Sequence, residues 1–157
     1  MVNRKAVGNV GIVIAIILLL AGVYLLMDRS TEEPIEAIIP FQNIKEEVPS
    51  VFFENREAFL INSAAEYEEV FDEETNIDFN EYSIVAVFSG QKPTGGYNVE
   101  ITGITETTNR IKIDVLETTP GEDCIVIQVI TFPYDVVLIE SIEKTPEFVF
   151  EETILEC

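Results

Sequence analysis

Apolar and polar positions fall into blocks with two distinct periods. Ser83-Ile84-Val85-Ala86-Val87-Phe88-Ser89 is apolar on both faces, which predicts a central strand covered on each side. Tyr97-Asn98-Val99-Glu100-Ile101-Thr102 and Arg110-Ile111-Lys112-Ile113-Asp114-Val115 alternate, predicting strands buried on one face, with Lys112 and Asp114 toward water. Cys124-Ile125-Val126-Ile127-Gln128-Val129-Ile130-Thr131 is again apolar on both faces and predicts a second covered strand. Its one polar side chain, Gln128, would then need a buried partner, because an unmet buried polar group costs about 1–3 kcal/mol. Val51-Phe52-Phe53 and Ala58-Phe59-Leu60-Ile61 predict an opening strand pair; Val136-Val137-Leu138-Ile139 and Phe148-Val149-Phe150 predict closing strands. Between them the period changes to a helical one at Ala64, Tyr67, Val70 and Phe71, after the capping box Ser63-Ala64-Ala65-Glu66. The acids around that helix, Glu66 to Glu74, lack the order of a calcium loop and read as a solvated face.

Ahead of these blocks lies a different kind of segment. Ala6 to Met27 is apolar apart from Asn9, and as a helix it would span about 33 Å at 1.5 Å per residue, against about 30 Å of bilayer core. Arg4 and Lys5 precede it, Tyr24 sits near its far end, and Asp28-Arg29 stop it. The expectation is a single-pass anchor over residues 6–27, with the N-terminus cytoplasmic and the rest outside. An uncleaved anchor fits better than a removed signal: the run exceeds a signal core, and Val23 stands where the cysteine of a lipoprotein site would be. The domain expectation is therefore an anchor over 1–29, an extended acidic and proline-bearing linker over 30–50, and an extracytoplasmic domain over 51–157. Ile38, Ile39 and Phe41 in the linker are candidates to dock on the domain as an edge segment.

The candidate site is the stretch Gly90-Gln91-Lys92-Pro93-Thr94-Gly95-Gly96-Tyr97 between two predicted strands. Three glycines and a proline in eight residues mark a turn with special backbone angles. One reading is a plain connection. The other is a recognition loop on a rigid sheet, formed by Lys92, Pro93, Thr94, Gly95, Gly96 and Tyr97, in which Lys92 supplies charge, the glycines allow close backbone approach, and Tyr97 supplies contact area. Phe132, Pro133 and Tyr134 form a candidate second wall, and the rings flanking Pro133 favour a cis Phe132–Pro133 bond.

Composition narrows the chemistry. The 157-residue chain has no histidine and no tryptophan, so imidazole acid–base chemistry and histidine metal sites are excluded. A cysteine nucleophile has no base to activate it, and a Ser89–Lys92 pair on an exposed loop would keep its amine charged and inert. No spacing supports a metal or glycosidase site, so neither enzyme activity nor a cofactor is expected. The net charge of -20 argues against nucleic acid and against an anionic membrane surface beyond residues 6–27. Cys124 and Cys157, the only two cysteines, either bridge in an oxidising compartment or remain free thiols.

The segment from about Phe59 to Phe150 resembles the PrcB C-terminal domain family. The residues that carry the resemblance are the capped helix, Asp78-Phe79, the Ile84-to-Ser89 strand, the Gly90-to-Tyr97 loop, Pro120-Gly121, Val126-Ile127-Gln128 and Phe132-Pro133-Tyr134. The resemblance implies a small, mainly β domain in the cell envelope, acting as an accessory or assembly subunit beside another envelope protein, with a surface protease as one candidate. Pro93-Thr94-Gly95 is also similar to loops of chagasin-type cysteine-protease inhibitors, though no tryptophan-bearing companion loop exists here. The expected architecture is a β-sandwich or partly open β-barrel of six to eight strands with one short helix.

Overall fold

The computed structural model describes residues 36–157. Its elements are β1 (Ala37–Ile38), β2 (Gln42–Asn43), a 3-10 turn (Lys45–Glu47), β3 (Glu57–Ile61), α1 (Ala64–Phe71), β4 (Tyr82–Phe88), β5 (Asn98–Glu106), β6 (Arg110–Pro120), β7 (Tyr134–Glu140) and β8 (Thr145–Leu155). They form two four-stranded sheets, β1-β5-β6-β8 and β2-β7-β4-β3. Every pair is antiparallel except β6–β8, which is parallel from Arg110↔Thr145 to Pro120↔Leu155. The result is an open sandwich, not a closed barrel.

Alternation explains the packing between the sheets. Val99, Ile101 and Ile104 of β5 and Ile111, Ile113 and Val115 of β6 point inward. They meet Val85, Val87, Val137 and Ile139 of the second sheet. Each such side chain stabilises by about 1.5–3 kcal/mol on full burial. The other face of this sheet carries Ile61, Ile84, Ala86, Phe88 and Val136, and it is covered by Tyr67, Val70 and Phe71 of α1 with Ile44. β4 is therefore central and covered twice, as its unbroken apolar run requires.

Helix α1 begins as its sequence dictates. Ser63 Oγ accepts from the Glu66 amide at 3.2 Å, and the Glu66 carboxylate accepts from the Asn62 amide at 2.7 Å, one residue before the cap. Asp72 ends the helix in the left-handed region, at φ 55°, with its amide donating to the Glu68 carbonyl. In β5 the register shifts between Ile101 and Gly103, which leaves Thr102 as a bulge.

Three expectations are corrected. Val51–Phe53 is not a strand, and β3 pairs with β4 instead. Residues 124–131 are not a strand either: β4 and β7 fill the centre of the second sheet and β8 fills the place beside β6, so no covered slot remains. Gln128 is accordingly exposed and reaches only the Val126 carbonyl, at 3.4 Å. No cis peptide occurs among the described residues, so Phe132–Pro133 is trans. Residues ahead of the domain dock as edge segments, in keeping with the docking expected of Ile38, Ile39 and Phe41: β1 extends the first sheet beside β5 and β2 extends the second beside β7. The expected anchor over residues 6–27 lies outside the described residues; among the described ones no helix is long and apolar enough to cross a membrane.

Candidate functional site

The loop from Gly90 to Tyr97 is built against the chain's own backbone. Gly90 has φ 79°, and a Cβ there would lie 2.8 Å from the Asn55 carbonyl carbon. The next amide, Gln91, donates to the Glu54 carbonyl at 3.1 Å. Lys92 and Thr131 then exchange two backbone hydrogen bonds, of 2.8 and 3.0 Å, and Thr131 Oγ1 donates to the Thr94 carbonyl at 2.8 Å. The Gly95 amide donates to the Ile127 carbonyl at 2.9 Å, and a Cβ on Gly95 would lie 2.6 Å from Ile127 Cγ1. Gly96, at φ 87°, is closed in by Val126 and Pro120. The glycines thus permit a close approach, but it is residues 120 and 126–127 of the same chain that make it. Gly95 is buried and offers no free backbone to a partner. Thr94 turns its hydroxyl onto the Gly95 carbonyl at 3.0 Å, and Pro93 remains exposed. Lys92 Nζ stands 5.7 Å from the centre of the Tyr97 ring, both side chains half-buried.

The second group of candidate residues divides. Phe132 packs on the exposed ring of Phe52, with centroids 5.0 Å apart. The Pro133 carbonyl accepts from the Ser89 amide at 2.9 Å. Tyr134 belongs to the helix-side core, stacked 6.0 Å from Phe88, with its hydroxyl 3.2 Å from Ser50 Oγ and Lys45 Nζ 4.8 Å above its ring. The Lys92–Thr131 pairing sets Phe132 beside the glycine loop, whereas Tyr134 is drawn inward.

What lies open is the segment between Pro120 and Phe132. Ile125 is fully exposed, and Ile127, Val129 and Ile130 are 67%, 56% and 55% exposed. This segment is fastened at one end by a Cys124–Cys157 disulfide (Cα–Cα 5.2 Å) and at the other by the Thr131–Lys92 pairing. It is an ordered apolar surface rather than a buried strand. Its sequence had the same period as a covered strand, so hydropathy alone could not distinguish the two. The flanking Pro120-Gly121 turn and Pro133 were the available signals.

Beneath the loop is a polar network that periodicity does not reveal. Glu117, at an inward position of β6, is buried. It accepts from both Arg56 Nε (3.2 Å) and an Arg56 terminal nitrogen, and from Ser89 Oγ (2.7 Å). Arg56 also reaches Glu152 at 3.2 Å and lies 4.7 Å over the Phe150 ring. Burial works against the Arg56 charge, but hydrogen bonds and charge from Glu117, then Glu152, outweigh it and hold its pKa above the ordinary value. Asp135, also buried, accepts from Asn43 Nδ2 (2.6 Å) and from the Ile101 amide (2.9 Å), beside the bulge. Every buried side-chain nitrogen or oxygen among the described residues has a hydrogen-bond partner. These carboxylates brace the two sheets.

Residues 83–140, from β4 through the glycine loop and the open apolar segment to β7, match the family model described as PrcB C-terminal. No curated protein and no solved structure matches the chain.

Proposed function

From the match of residues 83–140 to the PrcB C-terminal family, we propose that this chain is a membrane-tethered, extracytoplasmic accessory module that binds another envelope protein, a protease complex being the first candidate. It acts by contact rather than by catalysis. The observation that carries the reading is the run Ile125, Ile127, Val129 and Ile130, held open on a segment that is pinned at both ends. Ordered apolar side chains grouped on a surface mark interaction sites, and a fixed segment loses little freedom on docking. Lys92, Pro93 and Tyr97 border this surface through the Lys92–Thr131 pairing, and Phe132 with Phe52 extends it. Gly95 and Gly96 serve it from beneath, as the floor on which residues 126–127 rest. The tether is supported by the apolar run 6–27 behind Arg4 and Lys5, and the outside location by that charge order and by the disulfide.

The test is a photo-crosslinking residue at position 125 of the full chain in its native membrane, with position 100 on the outer face of β5 as control. One protein should be captured from position 125 alone and lost when Ile127→Asp and Ile130→Asp are combined. Equal capture from both positions, or none from position 125, would refute the reading. A protease inhibitor acting through Pro93-Thr94-Gly95 is the second reading, but Gly95 is buried beneath Ile127, with its amide already on the Ile127 carbonyl.

A further inference from the structure

We propose that the outer edge of β8 accepts an extended segment of another protein, alternating apolar and basic residues, as an added strand of the first sheet. Four strands end the two sheets: β1 and β2 have two residues each, β3 has five and β8 has eleven. Among the described residues no strand pairs with β8 beyond β6. The β6 pairing uses one side of β8 only. The Leu155 carbonyl accepts from the Gly121 amide, at the end of β6. Strand alternation then turns the N–H and C=O groups of Phe148, Phe150, Glu152 and Ile154 away from β6. A row of open donors and acceptors of this length is a template for strand addition.

The side chains define the occupant. Between Thr145 and Leu155 there are three glutamates, Glu147, Glu151 and Glu152, and no lysine or arginine. Pairing two copies of this edge would bring carboxylates together across the seam, and like charges in register are destabilising. A basic strand meets no such penalty. The register with β6 places Phe148 and Phe150 on the inner face, half-buried at the side of the core, and Glu147 and Glu151 on the outer face. Arg110 of β6 already pairs with Glu147 at 2.8 Å, so an incoming strand would set apolar residues beside the two phenylalanines and a lysine or arginine chiefly beside Glu151. The edge is already ordered: Arg56 holds Phe150 and Glu152, and the Cys124–Cys157 bridge fastens the chain just past Leu155. This surface shares the Cys124 anchor with the 124–131 segment but uses none of its exposed isoleucines.

The test uses the full chain in detergent micelles and an eight-residue peptide of alternating valine and lysine. Saturable binding is expected, with slowed amide exchange at Phe148, Phe150, Glu152 and Ile154. Replacing the lysines by glutamates should weaken binding at least about tenfold, a difference of roughly 1.4 kcal/mol. Ile154→Pro removes one outward N–H at a position where an edge strand tolerates proline, and should weaken the peptide strongly. Glu151→Lys, an exposed substitution that spares the backbone, should weaken it severalfold. Ile127→Asp should leave it unchanged, so that failure here and failure of the 124–131 surface are told apart. No binding, binding without slowed exchange in β8, or equal binding of the glutamate peptide would overturn the assignment.

Discussion

The Gly95 amide is hydrogen-bonded to the Ile127 carbonyl at 2.9 Å, and the Ile127 side chain fills the space where a Cβ on Gly95 would stand. The glycine loop and the open apolar segment are therefore one structure. Gly95→Ala should push Ile127 aside, destabilise the chain by about 1–3 kcal/mol, and speed proteolysis between Gly121 and Thr131. Thermal melting together with limited proteolysis checks this; an unchanged cleavage pattern would contradict the coupling.

The disulfide spans 33 residues. On the loop-entropy relation, opening it should cost about 3–4 kcal/mol. Cys124→Ser/Cys157→Ser and reduced wild-type protein should show the same lowered Tm, with amide exchange rising first around Cys124 and in the last residues of β8.

Arg56 and Glu117 join the loop before β3 to the inside of β6. Arg56→Met leaves a buried carboxylate with only Ser89 as partner, and should cost about 2–4 kcal/mol. Combining it with Glu117→Gln should cost less than the sum of the single changes, with a coupling of about 1–3 kcal/mol in a double-mutant cycle. Additive effects would show that the pair is energetically idle.

Tyr67 is buried under β4, and burial, then the charge of Glu73, raises its pKa, against a lowering hydrogen bond with Thr75. The folded state thus holds the phenol proton to higher pH than the unfolded state does. The stability from this group is complete below about pH 10, the ordinary tyrosine value, and falls as pH rises from there through the folded-state pKa. Denaturant unfolding should weaken over that alkaline range, and Tyr67→Phe should flatten the slope. An equal slope in the variant would show that Tyr67 is not the group responsible.

Period and polarity revealed the parts of the fold that depend on burial. The double coverage of β4, the alternation of β5 and β6 and the cap of α1 all follow from side chains that must leave water or satisfy a helix end. The segment 124–131 was misread because an apolar octet gives the same signal whether another layer covers it or it stands open. That depends on which strands take the central places, and pairing is a long-range choice: β6 takes β8, more than thirty residues on, in parallel. The candidate site was located by its glycines, but their purpose was hidden. Gly95 and Gly96 are narrow because Ile127 and Val126 press on them, and nothing local to the loop says so. Arg56, Glu117 and Asp135 were invisible for a related reason. A buried carboxylate looks like any surface acid until its distant donors are known.

The parallel pairing of β6 with β8 also orders events during synthesis. β5 and β6 can form a hairpin as soon as both have emerged, but the other edge of β6 stays unpaired until β7 has crossed to the second sheet and residues 145–155 have followed. Closure waits on a long loop and carries its entropy cost, so the chain passes through a stage with the β6 edge open and the flank of the core that Phe148 and Phe150 later cover still bare. A chain ending shortly before residue 145 would be a sticky half-sandwich, and it should bind a hydrophobic dye that the full chain, with β8 docked, does not bind.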